Sequence, residues 1–238
     1  MNNVLRTGLV LLGAMLGAVL LDLALELASS LNGGKAPWYA TRAAGVIAYA
    51  ALGLSTVWGL LTSSRLVMRW VALPLASELH KSFSFIGLAA LGLHGVVLTY
   101  ERTIPYSLAQ IAVPFLSDYR PVQVGLGIIT GYLMLALTAS FYFRQHTGQK
   151  AWRAFHFTGF GAYILATVHG LTAGTDTTAF RMQIIYIASG AAVLFLTYVR
   201  ILGGRYVPAR KAQVQSPRTA SSHPSINGQP IVAIGGRK

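Results

Sequence analysis

A chain of 238 residues that is 54% hydrophobic and 11% charged, with a mean hydropathy of +0.55, is too apolar for a soluble domain, where about a quarter of residues carry charge. The absence of cysteine excludes disulfides, iron–sulfur clusters and thiolate zinc sites together. The net charge of +13 would point to nucleic acid on a soluble protein, but here the cations sit mainly between and after apolar stretches, where they report membrane topology.

Six apolar segments follow one another at 4–28, 39–61, 79–100, 122–143, 152–173 and 182–202, each near the roughly 20 residues a helix needs to cross the hydrocarbon core. The first begins after Arg6 and ends at the small residues Ala28 and Ser29, as a cleaved leader would. Its length and its acidic Asp22 and Glu26 fit a retained helix better. Asp22 and Glu26 are one turn apart, and Arg42, at the start of the second segment, is their expected ion-pair partner. Trp38 and Tyr39 stand at the start of that segment, and Trp70 and Trp152 fall near other expected interfaces, where aromatic belts anchor a bundle. The third segment carries His80 and His94. The fourth contains Gly127 and Gly131, a spacing that lets helices approach closely. The fifth carries His156 and His169, and the sixth closes the bundle.

The expected fold is all-α, an integral membrane six-helix bundle. Fourteen Lys and Arg residues fall on one side of it and five on the other, namely Lys35, Arg42, Arg102, Arg120 and Arg181, which places both termini in the cytoplasm. Residues 1–205 form the transmembrane domain. Residues 206–238, rich in Ser, Pro, Gln and Gly, are expected to be a disordered basic cytoplasmic tail, solvated and fixing topology, with contact to anionic membrane lipid as the alternative.

Ionisable or ligating residues at membrane depth are costly, so the four histidines are the candidate site. His80 and His94 are 14 positions apart, about 21 Å of rise and within about 40° of one helix face. They cannot share one metal but can serve two, stacked across the membrane. His156 and His169 differ by 13 positions, about 20 Å, so the ligand depths match. Because the third and fifth spans run parallel, His80 should meet His156 near the cytoplasm and His94 should meet His169 nearer the outside. Thirteen residues leave the second pair roughly 140° apart on an ideal helix. Either this helix is wound irregularly, which Gly159, Gly161 and Gly170 permit, or its cofactors lie against different faces. Neutral imidazole at two matched depths points to axial ligation of two haems, with a structural or proton-relay role as the alternative. With no Cys-x-x-Cys-His motif, the haem would be held non-covalently.

The Leu79-His80 to Leu93-His94 spacing, the Phe155-His156 to Val168-His169 spacing and the run from His169 through Gly170-Leu171-Thr172-Ala173-Gly174-Thr175 to Asp176 resemble the ferric reductase-like transmembrane domain. That family includes the membrane parts of ferric reductases and NADPH oxidases and the haem-binding subunit of methionine sulfoxide reductase systems. Over residues 1–205 the resemblance implies a six-helix domain with two b-type haems that passes electrons across the plasma (inner) membrane. Lys81 and Arg153 would then meet propionates of the inner haem, and Arg42, Arg120 and Arg181 those of the outer one. Phe83, Phe157 and Phe160 are candidates for the space between them, and Asp176 for contact with an external acceptor. His146 and His223 are read as solvated.

The chain departs from the family where a flavin- and nicotinamide-binding domain usually follows, and Gly125-Leu126-Gly127 lies mid-membrane without the strand–turn–helix context of a dinucleotide fingerprint. The expected donor is therefore a separate cytoplasmic flavoprotein or other reductase. The expected acceptor is extracytoplasmic: a ferric chelate, oxygen, quinone or partner protein. The alternatives are a non-catalytic haem-bearing subunit of an extracytoplasmic oxidoreductase and a non-haem transporter with a histidine relay.

Overall fold

The computed structural model describes residues 35–64, 73–101 and 104–205. The first apolar segment with Asp22 and Glu26, the cations Arg65 and Arg69, Trp70, and the tail at 206–238 with His223 lie outside the described residues. Within them all regular structure is helical: α1 Ala36–Ser64, α2 Leu73–Leu98, α3 Leu108–Ala112, α4 Pro121–Thr147, α5 Gln149–His156, α6 Thr158–Ala173 and α7 Phe180–Arg205. Four stretches, Ala36–Ser63, Pro74–Leu98, Pro121–Thr147 and Phe180–Leu202, are long and apolar enough to cross a membrane. They correspond to the expected segments at 39–61, 79–100, 122–143 and 182–202.

The expected fifth span is divided. α5 and α6 meet at Phe157, which keeps right-handed helical angles (φ −64°, ψ −21°). Its N–H still reaches the Arg153 carbonyl at 3.2 Å, but the Phe160 N–H turns back only three residues, to the Phe157 carbonyl at 3.2 Å. That three-residue closure is a 3₁₀-type turn, which advances about 20° further per residue than an α-helix. It lies between His156 and His169 and rotates His169 back toward the face of His156, removing part of the mismatch expected from 13 residues. The irregularity spans Gly159 but begins at Phe157. Gly170, expected to loosen the same helix, instead leaves space for the Tyr186 hydroxyl.

Local chemistry sets the other boundaries. α4 opens on Pro121, whose fixed φ and missing N–H suit the first helical position, preceded by Arg120 in the left-handed region (φ 45°). It closes at Gly148 (φ 79°), whose N–H caps the Arg144 carbonyl, with Arg144 and His146 in a last turn whose dipole favours cations. The connection before α4 carries α3, a single turn fixed by a capping box between Ser107 and Gln110. This loop folds onto α4, where Phe115 lies so close to Gly125 that a Cβ there would come within 2.5 Å of its ring.

α1 is the hub, packed along α2 and α7 and touching α6, while α4 packs along α6 and touches α2. The two helices carrying histidines, α2 and α6, have almost no direct packing and are bridged by α1 and α4. On the α1–α6–α7 side a core of Tyr49, Leu60, Tyr163, Met182, Val193 and Leu196 is buried. Inside it the Tyr49 hydroxyl lies 3.1 Å from both Thr167 Oγ1 and Ser189 Oγ, and the Tyr163 hydroxyl donates to Ser189 Oγ at 2.9 Å. Four hydroxyls thus satisfy one another where water is scarce, tying three helices together. α7 presents Ile187, Leu194, Phe195, Tyr198 and Ile201 outward, all exposed and near one helix face. An exposed apolar face of that extent is what a lipid-facing helix requires.

Candidate functional site

The histidines meet as two pairs. His80, near the start of α2, and His156, the last residue of α5, have ring centres 5.9 Å apart with planes inclined at 76°. Almost four turns further along α2 stands His94, and thirteen residues beyond His156 stands His169 on α6, at a matched second level. The depth matching expected from parallel spans is therefore the arrangement found, with ring contact between His80 and His156.

Three of the four rings are held in the same way. α1 is antiparallel to α2, and Gly45 and Gly59 are spaced by the same 14 positions as His94 and His80. A Cβ on Gly45 would lie 3.1 Å from His94 Nδ1, and one on Gly59 would lie 3.3 Å from His80 Cε1. On α4, a Cβ on Gly127 would come within 2.7 Å of His169 Cε1. Each histidine thus lies against a glycine of the adjacent helix. Each then donates its Nδ1–H to the backbone carbonyl four residues before that glycine: His94 to Thr41 at 2.9 Å, His80 to Ser55 at 2.8 Å and His169 to Gln123 at 2.7 Å. The glycine's missing side chain lets the ring approach, and the second lone pair of a helical carbonyl takes the extra bond. Ser55 and Ser84 add a hydroxyl bridge at 2.7 Å, and Ser84 Oγ donates to the His80 carbonyl at 2.9 Å.

This seat has a chemical consequence. A carbonyl can only accept, so the proton resides on Nδ1 and Nε2 is left as the lone-pair nitrogen. Metal-ligating histidines have this arrangement, with the non-ligating nitrogen held by a carbonyl or carboxylate. His156 is the exception. Its Nδ1 is buried without a partner among the described residues, as is Nε1 of Trp152, whose ring stacks on it at 4.9 Å and 23°. Thirteen residues beyond Gly127 on α4 stands Ser140, whose hydroxyl bonds the Leu137 carbonyl of its own helix.

The expected cationic partners are divided in role. Arg42 is engaged by Asp176: Nε donates to the carboxylate at 2.6 Å, and the guanidinium lies 3.9 Å from the Trp38 ring centre. Arg42 therefore has an acid partner that the sequence reading did not assign to it, and Asp176, read as facing an external acceptor, closes the α6–α7 loop onto α1. Arg120 donates to the Thr172 carbonyl at 2.6 Å, one turn beyond His169. Lys81 pairs with Glu78 one turn earlier on α2, and Arg153 and Arg181 are exposed on α5 and α7. Two cations not singled out from sequence stand at the His80–His156 end. Arg144 covers Phe141 at 4.4 Å, and Arg200 lies 5.3 Å from the Phe157 ring centre and donates to Ser63 Oγ at 2.8 Å. Their positions at helix ends on the cation-rich side were the available signal. Phe157 and Phe160 stack at 6.3 Å between the two histidine levels, and Phe83 is half-buried.

Among the described residues no three His, Asp or Glu side chains converge as a protein-only metal site. Paired histidines suit a metal that arrives with its other ligands already in place. Two nitrogens each about 2.0 Å from a metal are about 4 Å apart, with ring centres somewhat farther, which the 5.9 Å separation of His80 and His156 accommodates. α2 and α6, which carry the two histidines of each level, have almost no direct packing against each other. These residues fit haem. No protein-family model, curated protein or solved structure matches the chain.

Proposed function

We propose that the chain is a membrane electron carrier of the ferric reductase-like type, holding two b-type haems between His80 and His156 and between His94 and His169. The observation that carries this reading is the repeated seat, a glycine with a carbonyl four residues before it, which leaves Nε2 of His80, His94 and His169 free to ligate. Bound haem supplies a one-electron couple at each level. With a histidine of each pair holding it from either side, the group would be suited to passing electrons on rather than to binding a further ligand. The protein's own contribution is to fix the ring tautomers, hold the levels about 20 Å apart along α2 and exclude water.

In this reading the chain crosses the plasma (inner) membrane six times with both termini in the cytoplasm. A separate cytoplasmic flavoprotein or similar reductase donates electrons, and an extracytoplasmic acceptor receives them. The Nδ1 seats also weigh against a proton-relay transporter, because Nδ1 of three of the rings is anchored to a backbone carbonyl, which does not pass a proton on. The test is transfer across a sealed bilayer. Proteoliposomes enclosing ferricyanide and exposed to external dithionite should reduce the trapped ferricyanide at least about tenfold faster than protein-free vesicles, with only background reduction when haem is left out of the preparation. Rates equal to those of protein-free vesicles would overturn the proposal.

A further inference from the structure

The four ligand positions are not equivalent. His94 and His169, which form one pair, both donate Nδ1–H to backbone carbonyls, whereas in the other pair only His80 does. A donated Nδ1–H raises the basicity of the opposite nitrogen, and a more basic ligand stabilises the oxidised metal. The pair with two such bonds therefore holds its electron less tightly. Charge acts in the same direction. Arg144 and Arg200 flank the His80–His156 end, while at the other end Arg42 is neutralised by Asp176 and Arg120 lies one turn beyond His169.

We propose that Gly45, Gly59 and Gly127 are positioning residues that set unequal reduction potentials through the histidine seats, and that the His80–His156 site has the higher potential. This inference rests on the haem reading above.

A substitution that loosens one seat should raise the potential of that site alone. Alanine at Gly45 would place Cβ 3.1 Å from His94 Nδ1, tight enough to push the ring off the Thr41 carbonyl by a few tenths of an ångström. Alanine at Gly59 would do the same to His80 at 3.3 Å. The two changes act oppositely on the gap: Gly45→Ala raises the lower potential and narrows it, while Gly59→Ala raises the higher one and widens it. A purely structural role for these glycines gives no such opposite pattern. Helix propensity favours alanine over glycine in the interior of a helix, so neither change weakens α1 on that ground.

The experiment is an equilibrium redox titration of the purified, haem-loaded chain followed at the haem α-band, with His94→Ala and His80→Ala used to assign the two waves. The expected result is two one-electron waves, the higher belonging to the haem that survives in His94→Ala, with Gly45→Ala and Gly59→Ala moving the gap in opposite directions. A reversed order, coincident waves, or a gap that both glycine variants shift in the same direction would overturn the inference and leave the haem reading intact. Absence of haem overturns both. If a glycine variant does not fold, the wild-type order of the two waves decides.

Discussion

His94→Ala and His169→Ala each remove one haem and leave one. The two rings share a level of the bundle, and each belongs to one site only: His80 lies about 21 Å of helix rise away on α2, beyond the reach of a second bond to the same metal. Removing either residue would take away one of the two groups that hold the cofactor at that level, weakening its retention there and leaving His80 and His156 in place. The haem content of either purified variant should fall to half that of the wild type, and trapped-ferricyanide reduction should fall to the protein-free rate because the outer step is missing. Double replacement of His94 and His169 should be no worse than either single change, since both act at one site. Loss of both haems from a folded His94→Ala chain would show that the two levels are not independent and would refute this assignment.

Gly127→Ala should match the effect of deleting a ligand although it adds a single carbon. The new Cβ would lie 2.7 Å from Cε1, 2.8 Å from Nδ1 and 3.0 Å from Nε2 of His169, so the whole ring is met rather than its edge. The ring cannot slide away without giving up the Gln123 carbonyl at 2.7 Å. The expected outcome is loss of the outer haem, with half the wild-type haem content. Gly161→Ala is the control: nothing lies within 4 Å of its added Cβ, and the helix gains about 1 kcal/mol of propensity, so haem content should be unchanged. Full haem content in Gly127→Ala would mean that the seat does not position His169.

Hydrophobic length made the four long spans legible, because apolar stretches of some twenty residues have few other uses. Depth matching made the histidine pairing legible, because helix rise is nearly constant. What escaped the sequence was whatever depends on the facing helix. Gly45 and Gly59 share the 14-residue spacing of the histidines, yet their use is visible only once α1 lies antiparallel to α2 in one register. Gly127, read as a point of close helix approach, instead accommodates a histidine ring.

Arg42 was expected to pair with Asp22 and Glu26 at similar depth, which lie outside the described residues, and among the described residues it meets Asp176, 134 residues away, through the loop that closes α6 onto α1. Tyr49, Tyr163 and Ser189 each look like an ordinary interior residue and form a network only when α1, α6 and α7 converge. The turn at Phe157 has no proline to announce it. Its motive lies in the site: thirteen residues of regular helix would turn His169 away from the face of His156.

Haem content of the purified chain tests the central claim most directly. The pyridine haemochrome of the detergent-purified wild type, set against protein determined by amino-acid analysis, should give two b-type haems per chain, low-spin in the reduced-minus-oxidised spectrum. A monodisperse, helical chain produced with ample haem and showing no Soret absorption would contradict the account and leave four membrane histidines in need of another purpose.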